Sequence, residues 1–233
     1  MSALRLARLL VQDVRYQAKY GFYFLYAVMS AFYIGILLLL PPQWRPLGVA
    51  VAILTDPAML GFFFIGGIWL LEQGEGLHGM FAVLPQRPGE YVLSKALSLG
   101  ILSVLAALVI AVLVGADADY PLLALAVLLG SGVFTLAGLT IATYARSVNH
   151  YMLVGTPPMF LFMVPPVLTL FGVSHPSFAV LPGMQLYELL RLCVGLESQW
   201  SAGVLFSGIA TWLAAAIYVA LWRIPQALRG GAQ

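Results

Sequence analysis

The sequence predicts an all-α integral membrane protein with six transmembrane helices. Three observations carry that prediction. Of 233 residues, 62% are apolar and 9% are charged, where a soluble domain carries roughly 25% charged residues. The apolar stretches run for about 20 positions, the length of a bilayer-spanning helix. They do not break into the alternating segments of about 10 residues that mark a barrel. Only helices and closed barrels satisfy every backbone polar group in lipid, so helices remain.

Six stretches qualify as spans: 20–40, 47–71, 91–114, 121–144, 151–173 and 202–221. All belong to one transmembrane domain covering residues 1–233. The first is too long for a secretory signal and lacks a small-residue cleavage site. Ahead of it, within residues 1–19, Arg5, Arg8, Gln12, Arg15 and Lys19 share one helical face, with Ala3, Leu6, Leu10 and Val14 opposite. A basic amphipathic helix beside a span lies flat on an anionic leaflet. A plain positive anchor is the alternative.

The second span contains Asp56-Pro57, which resembles an N-cap followed by proline at the first helical position. If the helix begins at Pro57, it is short in the bilayer or runs on past Leu71, the preceding residues lie at the interface and Asp56 sits near an end. Asp56 is the one acidic candidate inside the spans. Proton- or sodium-coupled carriers place acids there, so the sequence argues for an external energy source.

The connection 72–90 is longer than topology requires. Glu72, Glu75 and His78 are spaced i, i+3, i+6 and share a face if the segment is one helix. Leu77, Met80, Phe81 and Leu84 form an apolar stripe beside them, and Pro85 and Pro88 end the segment. A short amphipathic helix of this kind anchors in headgroups, seats in a partner's cleft, or lies on the surface unpartnered.

The fifth span carries Pro157-Pro158 and Pro165-Pro166, which predict a doubly broken helix. Met159, Phe160, Phe162 and Met163 surround the breaks as adaptable apolar groups. With Phe62 and Phe63 they are candidates to line a pathway for a lipophilic substrate; a kinked core helix is the alternative. Gly61, Gly66, Gly67, Gly130, Gly132 and Gly138 are expected to permit close helix packing. The segment 174–201 is too short and too polar to span. It reads as an amphipathic or re-entrant helix over the outer side, or as a surface loop.

Orientation follows from the basic residues. Arg5, Arg8, Arg15, Lys19, Arg87, Lys95, Arg146, Arg223 and Arg229 fall on one side, and Arg45 and Arg191 on the other. The connection 115–120 carries Asp117 and Asp119 and no basic residue. Both termini are therefore expected in the cytoplasm and 174–201 outside.

Several functions are disfavoured. The single cysteine, Cys193, allows no intrachain disulfide, and three separated histidines, His78, His150 and His175, form no metal motif. A net charge of +2 is too small to suggest nucleic acid. Neither lysine, Lys19 or Lys95, ends a Gly-x-x-x-x-Gly-Lys loop, so no ATP phosphate cradle is built here. No cofactor is expected in the chain itself.

Glu72, Glu75-Gly76, Leu84-Pro85, and Tyr91 with Lys95 together resemble the hallmark of ABC-2 type permeases, the membrane subunits of one class of ATP-driven transporters. The stretch Gly61-Phe-Phe-Phe-Ile-Gly66-Gly67 resembles the small multidrug-export branch, including the fluoroquinolone-exporter type. Leu77 departs from the threonine that often follows the motif glycine. The resemblance implies that 72–90 is a coupling helix, with Glu72, Glu75, Gly76, His78, Gly79, Pro85, Tyr91 and Lys95 serving contact with a separate ATP-binding subunit. ATP and magnesium would be held by that partner. It further implies a second permease subunit, identical or homologous, contact with membrane lipids, a bacterial inner-membrane location, and export of a hydrophobic or amphipathic molecule. A non-transporting scaffold or immunity-type protein is the rival reading.

Overall fold

The computed structural model describes residues 3–79 and 88–230. Among these residues every regular element is helical. Helix α1 (Ala3–Lys19) is followed by α2 (Phe22–Leu39). Gly21 separates them at φ 76°, a left-handed conformation that a side chain disfavours. The second span runs unbroken as a 3-10 turn (Pro42–Trp44), α3 (Arg45–Ile53), a π-turn (Leu54–Ala58) and α4 (Leu60–Gly74). Helices α5 (Pro88–Val114), α6 (Tyr120–Ala142) and α7 (Val148–Leu170) follow, then a 3-10 turn (Pro176–Val180), α8 (Pro182–Cys193) and α9 (Ala202–Gly230).

Six of these segments are long and apolar enough to cross a membrane. They are not equivalent. In the most apolar windows of the second and fourth spans 72% and 67% of residues are buried, and 56% in the third. In the first, fifth and sixth the share is 17%. Spans two, three and four are therefore the core, and the other three present apolar faces outward. Helix α6 sits at the centre, packed against α4, α5, α8 and α9. Small residues allow the approach: a Cβ on Gly138 would meet the Phe62 carbonyl oxygen at 2.4 Å, and one on Gly61 the Thr135 hydroxyl at 2.4 Å.

The structure corrects the expectation at Asp56-Pro57. No helix starts there. The upstream residues Val49, Ala50, Ala52 and Ile53 are buried, and their packing carries the helix through the proline. Pro57 lacks a donor and crowds the preceding turn; the backbone answers by widening into a π-turn, a form typical of local insertions in helices. Asp56 consequently lies mid-span, 1% exposed, and neither carboxylate oxygen has a hydrogen-bond partner.

The fifth span is corrected as well. All four prolines lie inside the single helix α7. Pro157 and Pro158 free the carbonyls of Leu153 and Val154, and Pro165 and Pro166 free those of Leu161 and Phe162. The Phe162 carbonyl, released by Pro166, faces Gly183 so closely that a Cβ there would stand 1.8 Å from the oxygen.

The segment 174–201 is no surface loop. Helix α8 buries Leu186, Tyr187, Leu189, Leu190 and Cys193 and packs on α3, α6, α7 and α9. Burial raises the Cys193 thiol to about 12, so it is an inert core group. Its carbonyl accepts from the Asp119 amide at 2.9 Å, tying α8 to the start of α6.

Candidate functional site

Helix α4 ends at Gly74, Glu75 is its C-cap, and Gly76 takes φ 73°. A glycine in the left-handed region is a common helix stop. The chain then begins a new helical turn at Leu77–Gly79. Glu72, Glu75 and His78 therefore do not share one helical face, because the helix that spacing presupposes is interrupted at Gly76. Met80, Phe81, Leu84, Pro85 and Arg87 lie outside the described residues.

Glu72 and His78 point inward. Glu72 is 3% exposed and Lys95 2%. The Lys95 ammonium contacts Glu72 Oε1 and Asp13 Oδ1, the latter at 2.6 Å. Tyr91 Oη donates to Glu72 Oε2 at 2.7 Å, and Ser94 donates to Asp13. One turn on, Gln17 donates to Ser98 at 2.9 Å. His78 Nε2 lies 3.9 Å from Glu72 Oε2, and its ring stacks on Trp69 with centroids 4.1 Å apart. One ammonium thus joins α1, α4 and α5. Two carboxylates share it, and burial pushes the Asp13 carboxyl above its ordinary 3.8 despite the opposing pull of Lys95.

Glu75 is the exposed member of the set. It accepts from the Tyr16 hydroxyl at 3.3 Å and from Tyr20, with Lys19 at 3.8 Å. Beside these groups a cavity of about 300 Å³ opens between α1 and the start of α5, lined in part by Asp13, Tyr16, Glu72, Leu77 and Lys95. Gly79 is exposed, and among the described residues nothing lies within 4 Å of a Cβ built on it.

Asp13 escaped the sequence reading. The basic and apolar faces of α1 were legible, but its protein-facing stripe is Leu9, Asp13 and Gln17. The signal was a single acid in an otherwise basic helix, opposite the one lysine of the third span.

The candidate pathway residues do not converge. Phe62 is buried and packs on Phe63 and Tyr151. Phe162 packs on Phe134 and Trp212. Met159 and Met163 are half-buried, Pro165 and Pro166 buried, and Phe160 faces outward, 61% exposed.

Comparison with known proteins gives a consistent result. Residues 4–222 match the sequence profile of the fluoroquinolones export permease protein family. Fluoroquinolones export permease proteins of two Mycobacterium tuberculosis strains, CDC 1551 / Oshkosh and ATCC 25618 / H37Rv, are each 28% identical over 181 residues, covering 76% of this chain and 76% of theirs.

Proposed function

Because the chain belongs to the fluoroquinolones export permease family, a family of multi-pass export permeases, we propose that it is the membrane subunit of an ATP-driven ABC exporter. A separate ATP-binding subunit, carrying ATP and magnesium, docks at the segment beginning with Glu75–Gly79, and a second permease subunit completes the complex. The cargo is a hydrophobic or amphipathic small molecule of drug-like or lipid-like character. It leaves the cytoplasm or inner leaflet of a bacterial inner membrane. Both termini and the coupling segment face the cytoplasm, α1 lies along the inner interface, and α8 closes the outer side.

One observation carries the reading. The Asp13–Lys95–Glu72 network locks the turn at Gly76 to the surface helix and to the third span. A push delivered just beyond Gly76 is therefore borne by spans two and three together. Salt-bridge and hydrogen-bond networks between rigid helices are one physical carrier of such a displacement. Glu72, His78, Tyr91 and Lys95 act as positioning residues for the docking turn, while Glu75, Gly76 and Gly79 form the outward surface.

Gly79→Trp tests this directly. The site is open among the described residues, so the permease itself should fold and express normally. A bulky ring there should abolish co-purification of the ATP-binding subunit or its cargo-stimulated ATP turnover in proteoliposomes. Normal co-purification with normal stimulation would exclude this turn as the docking surface.

A further inference from the structure

A second cavity, of about 450 Å³, opens at the same end of the bundle as the ionic network. It lies between the end of α4, the α6–α7 connection and the last turns of α9, and Arg146, Arg223, His78, Gln73 and Gln226 line it. Its chemistry is one-sided. Neither arginine has a carboxylate within ion-pair distance among the described residues, and no described lining residue is acidic. The nearest acid in the network, Glu72, is already engaged by Lys95 and Tyr91.

Arg223 is held in place. Its Nε donates to Thr143 Oγ1 at 3.0 Å, and its guanidinium carbon stands 4.0 Å from the Tyr144 ring centroid. That leaves the terminal nitrogens of a planar fork presented to the cleft, the geometry that suits phosphate oxygens. His78, 5% exposed, borders the same space, with its Nε2 turned toward Glu72 Oε2 at 3.9 Å. The amides of Gln73 and Gln226 add neutral donors. Beside the cleft, Tyr218 and Trp222 of α9 are 74% and 60% exposed. Aromatic side chains of this kind sit at headgroup level on membrane-facing helices, so acyl chains would find an apolar surface next to the charged pocket.

We propose that this cleft is a binding site for the phosphate of an anionic phospholipid headgroup. The lipid bridges α4, α9 and the α6–α7 connection. Its phosphate is clamped by Arg223 and Arg146, and its chains lie along α9.

The test is native mass spectrometry of the purified full-length protein with phosphatidylglycerol or phosphatidylcholine added. The variants are Arg223→Gln, Arg146→Gln and, as a control at the opposite end of the bundle, Arg45→Gln. Phosphatidylglycerol should be retained over phosphatidylcholine. Each cleft variant should weaken it roughly fivefold, the effect of one basic group near a lipid surface, and Arg45→Gln should leave it unchanged. Arg146 makes no packing contact of the kind Arg223 makes, so its variant keeps the test valid if Arg223→Gln unfolds. Equal retention of the two lipids would overturn the proposal. So would an equal loss in Arg45→Gln, which would reduce the effect to general charge. Displacement of phosphatidylglycerol by the same concentration of inorganic phosphate would also overturn it, marking a free-anion site.

Discussion

Lys95 serves two carboxylates, and the arithmetic of charge makes its neighbours unequal. Removing it leaves Glu72 and Asp13 buried near each other without a cation. Breaking a buried pair in this way costs about 3–5 kcal/mol, so Lys95→Met should strongly lower the Tm in detergent. Asp13→Asn leaves the Lys95–Glu72 pair balanced and should cost roughly 1–2 kcal/mol, the scale of a weakened hydrogen bond. Equal losses in the two variants would refute this ranking. The pH dependence has a definite sign. Burial raises the Asp13 pKa above 3.8, so the folded protein holds that proton more tightly than the unfolded chain. This group's contribution to stability therefore falls as pH rises from 3.8 through the raised value. The Tm deficit of Asp13→Asn should shrink across that window, and a deficit independent of pH would count against it. Gly183 offers a steric test. A Cβ there meets the Phe162 carbonyl at 1.8 Å, whereas Gly203 has nothing within 4 Å. Gly183→Ala should cost at least about 3 kcal/mol, at the upper end of overpacking effects, with Gly203→Ala near neutral.

At the scale of elements, two helices were expected to break and did not. Proline chemistry is local and was read correctly as a lost donor, but whether a helix ends there is decided by what packs around it. Span two is held by its buried upstream turn and absorbs Pro57 as a π-turn. Span five remains one helix through all four prolines, with the Phe162 carbonyl that Pro166 frees packed against Gly183. Pro157→Ala with Pro158→Ala should therefore restore intrahelical hydrogen bonds without changing the helix axis. The Tm of the double variant is expected to equal or exceed that of the parent, and a large drop would show that these prolines shape the helix. The six spans were legible because apolar length is a property of consecutive residues. The faces of α1 were legible because amphipathicity repeats every turn. The bond between Asp13 and Lys95 was not, since its partners stand 82 positions apart and no local pattern links them. Nor was the interruption at Gly76: the i, i+3, i+6 spacing of Glu72, Glu75 and His78 assumes a continuous helix, and a glycine permits either outcome.

At the scale of the whole molecule, the uneven burial of the spans divides labour. Spans two to four hold the fold together, and spans one, five and six offer their apolar faces to lipid or to another subunit. The proposed orientation can be checked on this frame. With Cys193 replaced by serine, a cysteine at Ser177 should react with a membrane-impermeant thiol reagent on intact cells. One at Arg5 should react only after the membrane is opened, and the reverse pattern would invert the topology.

The ionic tie between α1 and the third span also sets an order of events during synthesis. Asp13 leaves the ribosome 82 positions before Lys95, an interval of roughly 4–16 s at ordinary elongation rates. Until the third span is inserted, α1 has no ammonium to meet, and its Leu9–Asp13–Gln17 stripe has nothing to dock on. The nascent chain therefore carries this stripe of α1 undocked past the insertion of the first two spans. Its attachment then reports that the third has arrived. A chain arrested before Lys95 emerges should expose α1 to protease, and one arrested after the third span clears the translocon should protect it.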